Sequence, residues 1–237
     1  MCGRFALKTN PKKLAQTIKA VMEPNLEALE PRYNIAPSST VPVIRYQQNQ
    51  RVMEALKWGL VPSWAKDPSI GFKLANARAD SVAEKLSFRT AFKNQRCLVP
   101  VDGFYEWNQT TKPKQPHYFF MKNGEPFFLA GLWEFWSEKY GKGGSLTTFT
   151  LITTEANAVL SPIHDRMPVI LDPENFETWL DPNNHDVEGL KKLLKPYDAS
   201  RMSTHPVSTF VSNARNEGPQ CLEAIKLSTP DSQTRLL

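Results

Sequence analysis

The sequence predicts an α+β fold: a single domain over residues 1–237, built on a many-stranded, mostly antiparallel, barrel-like sheet with flanking helices. Three observations point there. Runs rich in β-branched and aromatic residues recur through the middle of the chain with turn signals between them. Nineteen prolines against eleven glycines favour short strands with rigid connections over a helical bundle. A hydrophobic content of 41%, with six tryptophans and thirteen phenylalanines, is enough to fill a substantial core.

Taken in order, residues 11–21, "PKKLAQTIKAV", place apolar residues at helical spacing behind a proline suited to a first turn. "VPVIRY" and "VMEALKWGLVP" read as strands around the polar turn "QQNQR". "SVAEKLSFRTAFKN" reads as a helix capped by Asp80 or Ser81. "RCLVPVDGFYEW", "HYFFMK", "PFFLAGLWEFW" and "TTFTLITTEA" supply the strands, separated by turns such as "KNGEP" and "YGKGG". "NAVLSPIH" is a short helix or turn, and "DPENFETWLD" and "DVEGLKKLLKPY" are two Asp-led helices. A last strand around "THPVSTFVSN" precedes a polar tail from about Leu227.

Composition excludes several classes of function. No apolar run approaches the roughly 18 residues of a membrane span, and no basic-then-apolar leader opens the chain, so a cytoplasmic or nucleoid location is expected. Cysteines at 2, 97 and 221 form no CxxC pair, which argues against a disulfide framework or a structural metal site. Cys97 reads as a small buried strand residue. Net charge is +5, which permits a polyanionic partner without requiring one. Arg4 beside Phe5, Arg32 beside Tyr33, Arg78 in "NARAD" and Arg166 in "HDRMP" suit a single-stranded nucleic-acid groove, while composition alone favours ordinary surface ion pairs.

Cys2 is the unusual residue. Once Met1 is removed, one carbon framework carries both an α-amine and a thiol. Their reference pKa values, about 7.7–8.0 and about 8.5, leave both partly reactive at neutral pH. The amine condenses with an aldehyde to an imine, and the thiol two carbons away closes a five-membered thiazolidine. The plain alternative is a cysteine that happens to lie in an N-terminal strand. Glu106, between Tyr105 and Trp107, is either a desolvated acid–base group or a glutamate on a solvent face. His164, beside Asp165, is either a proton carrier held in one tautomer or a loop histidine. Asn76, next to Arg78, offers an amide able to orient a reacting group.

"MCGRF", "RYNIAPS", "LKWGLVPSWAKD", "NARAD", "RCLVPVDGFYEW", "FLAGLWE", "IHDRMPVIL" and "HPVS", in that order from Cys2 to about Ile225, resemble the SOS-response-associated peptidase (SRAP) family. The resemblance implies a sensor and shield of abasic sites in single-stranded DNA; no cofactor or metal is expected, and with no apolar run and nothing that resembles a dimerisation element the chain is expected to act as a monomer away from membranes. It implies Cys2 as the nucleophile that joins the ring-opened sugar as a thiazolidine. Asn76 would hold the amine and the sugar oxygen, Glu106 would move protons, and His164 would assist ring opening and reversal. Arg4, Arg78 and Arg166 would meet phosphates. Trp64 and Trp107 would stack on bases, Asn34 and Pro37 would line the lesion pocket, and Thr153 would be a further contact. Some members carry two consecutive tryptophans where this chain has Trp64 and Ala65, which implies weaker stacking here. The resemblance also raises lyase activity and autoproteolytic loss of Met1. Two alternatives use the same residues: an N-terminal-nucleophile cysteine peptidase or amidase, and a non-covalent reader of modified bases.

Overall fold

The computed structural model describes residues 2–137 and 144–227. The first half carries β1 (Phe5–Leu7), α1 (Pro11–Ile18), β2 (Val21–Met22), β3 (Arg32–Ile35), β4 (Thr40–Gln47), β5 (Gln50–Trp58) and β6 (Asn76–Arg78). Then follow α2 (Arg89–Asn94), β7 (Arg96–Val101), β8 (Gly103–Asn108), β9 (Gln115–Met121), β10 (Phe127–Ser137) and β11 (Ser145–Glu155). The chain continues through β12 (Arg166–Pro168), β13 (Ile170–Leu171), α3 (Phe176–Leu180), α4 (Val187–Lys192) and β14 (Met202–Pro206).

The strands form two sheets. In the nine-stranded one, β11, β10, β7, β4 and β5 neighbour each other in turn, and a parallel pairing of Thr148 and Phe149 with Lys57 and Trp58 joins β11 back to β5. That pairing closes a five-strand barrel, as the β-rich pattern predicts, and most pairings are antiparallel. A two-residue turn with Gln48 and Asn49 both at positive φ links β4 to β5; its twist matches that of the strands it joins. Gly59 ends β5 at φ 122°, where a Cβ would lie 2.7 Å from the Gly71 carbonyl oxygen. This close crossing lets the 62–73 segment fold back and feed β6 in beside β11.

The second sheet has the order β14-β9-β8-β1-β3. Phe5, Phe104, Phe119 and Ile35 point from one face into the main core. Ala6, Tyr105 and Tyr118 point the other way, against Val207, Val211 and Cys221. Both faces are therefore buried, and alternate residues along β8 enter different apolar clusters. Cys97 is fully buried on β7, as expected.

Four expectations about elements need correction. The first helix stops at Ile18, where Lys19 adopts a left-handed C-cap (φ 53°), and Val21–Met22 instead joins β5 as a parallel strand. In "SVAEKLSFRTAFKN" only Arg89–Asn94 is α-helical; the Asp80 carboxylate, expected as the cap, is bonded to Arg78 instead. "RCLVPVDGFYEW" divides at Asp102 into β7 and β8, one in each sheet. The Asp102 carboxylate accepts hydrogen bonds from the Lys8 and Thr9 backbone amides (2.6 and 2.8 Å), pinning the end of β1. The last strand ends at Pro206, and Thr209–Ser212 is a 3-10 turn capped by Ser208. Most of the "YGKGG" turn and the tail beyond Leu227 lie outside the described residues.

Candidate active site at the junction of the two sheets

Cys2 is fully buried, immediately ahead of β1. The strand holds it there by packing and pairing. Phe5 lies 5.0 Å from the Trp58 ring, Phe5 pairs with Phe104, and the Tyr105 amide donates to the Arg4 carbonyl at 2.9 Å. Continuing that register sets Glu106 opposite Gly3, one residue from Cys2. Burial pushes the Cys2 thiol far above its ordinary value, and the Glu106 charge adds to the effect. Burial thus favours the protonated form of the sulfur.

Glu106 sits on the core face of β8, and its neighbours Tyr105 and Trp107 take the opposite face, so the solvent-face alternative fails. The residue is 3% exposed. Desolvation raises its carboxyl from an ordinary 4.5 to about 7, poised between acid and base at neutral pH.

His164 ends the 157–163 turn, whose start is held by Asn157: its Oδ1 accepts the Val159 and Leu160 amides, each at 3.1 Å. The ring reaches Glu106 across the sheet junction, Nε2 to Oε2 4.0 Å. The Arg166 backbone amide donates to Nδ1 at 3.0 Å, which places the proton of the neutral ring on Nε2, facing Glu106. Asp165 Oδ1 lies 2.9 Å from the same Nδ1 and becomes its acceptor when the ring is protonated. Burial holds His164 below the ordinary imidazole range.

Asn76 opens β6 and pairs in parallel with Leu151 of β11. Its Oδ1 is buried and has no hydrogen-bond partner among the described residues, so an acceptor is held ready for a donor that the fold does not supply.

The residues expected to contact DNA divide by exposure. Trp64 is 49% exposed, and the Arg78 side chain is 54% exposed. Trp107 is half-buried, donates from Nε1 to Ser212 Oγ at 3.0 Å and lies 5.6 Å from the Arg4 guanidinium; Pro37 is half-buried in the loop before β4. Asn34 and Thr153, by contrast, are sequestered. The Asn34 side chain accepts from Arg4 at 2.6 Å and donates to the carbonyls of Val211, Asn213 and Asn216. Thr153 is fully buried and receives the Arg166 guanidinium through its carbonyl (2.6 Å) and its hydroxyl (3.2 Å). Each therefore orients an arginine. Three contributors escaped sequence reasoning: Asp80 between two arginines, Asn157 under the His164 turn, and Glu217, which accepts the Tyr33 and Asn34 amides. Only Asp80 left a signal, in "NARAD", and that signal reads as a helix cap.

Residues 1–214 match the family described as SOS response associated peptidase (SRAP). The abasic site processing protein YoqW of Bacillus subtilis is 40% identical over 225 residues, covering 94% of this chain and all of that protein. The abasic site processing protein HMCES of Gallus gallus is 38% identical over 231 residues, covering 84% of this chain and 68% of that one. A solved structure of a protein from Bacteroides thetaiotaomicron superposes with a TM-score of 0.85 at 28% identity, over 95% of this chain and all of the other.

Proposed function

The chain belongs to the SOS response associated peptidase family, and on that premise we propose that it senses abasic sites in single-stranded DNA and shields them by covalent capture on Cys2. The observation that carries this reading is a buried Cys2 beside a carboxyl raised to about 7 and a histidine 4.0 Å from that carboxyl.

After loss of Met1, the Cys2 α-amine adds to the aldehyde carbon of the ring-opened sugar. Protonated Glu106 gives its proton to the carbinolamine hydroxyl, which leaves as water as the imine forms. The carboxylate then takes the thiol proton and sulfur bonds to the carbon of the protonated imine, whose π pair returns to nitrogen and leaves the neutral ring N–H. The sum is amine plus thiol plus aldehyde giving thiazolidine plus one water. Capture of the imine by sulfur removes the electron sink that would drive β-elimination of the 3′-phosphate, so the same step blocks strand cleavage. An imine left uncapped gives lyase activity. The Asn76 Oδ1 accepts from the amine, and the His164 Nε2–H serves the sugar oxygen during ring opening and, in reverse, release. Loss of Met1 by the protein's own action uses the same groups. The protonated thiol counts against a peptidase working through a resting thiolate.

The test is a denaturing gel with a single-stranded oligonucleotide carrying one abasic site. A one-to-one shifted band is expected for the processed protein, and none for Cys2→Ala or for a chain whose amino terminus is blocked by a tag. A band that survives either change overturns the thiazolidine.

A further inference from the structure

Arg78 and Arg166 lie on the two strands that pair with β11 around Thr153, and both turn toward one carboxylate. The chain leaves β6 in a tight turn, with the Ala79 amide on the Thr153 carbonyl (2.8 Å) and the Ser81 amide on the Arg78 carbonyl (3.1 Å). This turn lays Asp80 back over the guanidinium of Arg78. Arg78 Nη2 donates to Oδ2 at 2.6 Å, and Nε lies 3.1 and 3.3 Å from the two carboxylate oxygens. Arg166 Nη1 is 3.8 Å from the same Oδ2. The carboxylate is half-exposed and lies outside the catalytic group, so neither core packing nor the capture chemistry accounts for it.

The geometry points to Asp80 as a specificity-determining residue: a tethered anion that occupies the arginine faces a phosphate would use and so weakens the protein's grip on undamaged single-stranded DNA. This inference rests on the reading of the protein as a DNA-lesion sensor. A phosphate must displace a carboxylate held two residues away along the same chain, at high effective concentration. Each non-specific contact is thereby discounted. An intact strand is released quickly, and a lesion strand is retained by its covalent bond, which needs no strong electrostatic hold. Asp165 also acts on both guanidiniums and Glu155 on that of Arg166, and the two cations still present charge that a strand can be drawn to.

The measurement is fluorescence anisotropy with an undamaged single-stranded oligonucleotide across a salt series, for wild type, Asp80→Asn and Asp80→Ser. Both variants are expected to bind about three- to tenfold tighter at low salt. The plot of log affinity against log salt is expected to steepen by about 0.7, the increment of one freed phosphate contact on a single strand. The gain is expected to vanish when Arg78→Ala is combined with Asp80→Asn, and undamaged competitor is expected to inhibit crosslinking at about three- to tenfold lower concentration in the variants. Affinity and slope equal to wild type, or weaker binding in both variants, overturn the proposal and leave Asp80 a turn-forming residue. A wild-type protein that binds strands but forms no adduct with an abasic site overturns the lesion-capture reading instead, and leaves the anisotropy comparison standing.

Discussion

Arg96 and Glu106 are both charged residues on strands, 2% and 3% exposed, yet the fold treats them in opposite ways. The Arg96 guanidinium lies at the ends of α2 and α3, where it donates to the carbonyls of Phe92, Lys93, Trp179, Asp181 and Asn184 and lies 5.9 Å from the Trp179 ring. Helix C-termini present unpaired carbonyls and partial negative charge, so a buried cation is satisfied there without a carboxylate. Glu106 sits where two sheets meet, beside a thiol and 4.0 Å from an imidazole. Desolvation outweighs the groups that favour its charge, and the carboxyl moves to about 7. A guanidinium met by five carbonyls is held as a structural charge; a buried carboxyl whose desolvation outweighs its partners can exchange a proton near neutral pH.

Removing Arg96 is the largest way to sharpen the contrast. Arg96→Met leaves those five carbonyls without their donor, and chemical denaturation is expected to show a loss of about 4 kcal/mol. Crosslinking per folded molecule should stay near wild type. A loss under about 1 kcal/mol would break the comparison.

The next effect lies in the pH dependence of stability. The Glu106 carboxyl has a higher pKa in the folded state, about 7, than the ordinary 4.5 of an unfolded chain. Between those values the folded state binds the extra proton, so stability falls as pH rises through that window and levels off above it. The shift corresponds to at most about 3 kcal/mol. Glu106→Gln is expected to flatten this part of the curve and to be the more stable protein at pH 8. Denaturation curves from pH 4.5 to 8 that keep the wild-type slope in the variant would show that Glu106 is not its source.

The smallest of the three is kinetic. Glu106→Gln keeps the shape and loses the exchangeable proton, and adduct formation is expected to slow about a hundredfold. Single-turnover gels at pH 7 read this directly. An unchanged rate would move the proton-transfer role to His164.

These differences follow what was legible in the sequence. The barrel strands could be read because local alternation and turn residues govern them; the two-residue turn at Gln48 and Asn49 falls inside the segment predicted to be a turn. The helix over 81–94 was misread because the cap signal at Asp80 is spent on another local partner, the Arg78 guanidinium two residues back. Asn34 was expected to line the lesion pocket and Thr153 to be a further contact; what the sequence did not show is that both are buried, bonded to Val211 and Arg166, 177 and 13 residues away.

The sequence by itself determined the fold class and the family, because these reside in residue type and short-range order. A 1,2-aminothiol is latent in Cys2 whatever surrounds it. Only the tertiary structure decided which side of β8 carries Glu106, which ring nitrogen His164 turns toward it, and that the Cys2 thiol rests protonated. Those properties depend on how much water and which charges surround each group, and the folded neighbours that set them are brought in from distant parts of the chain.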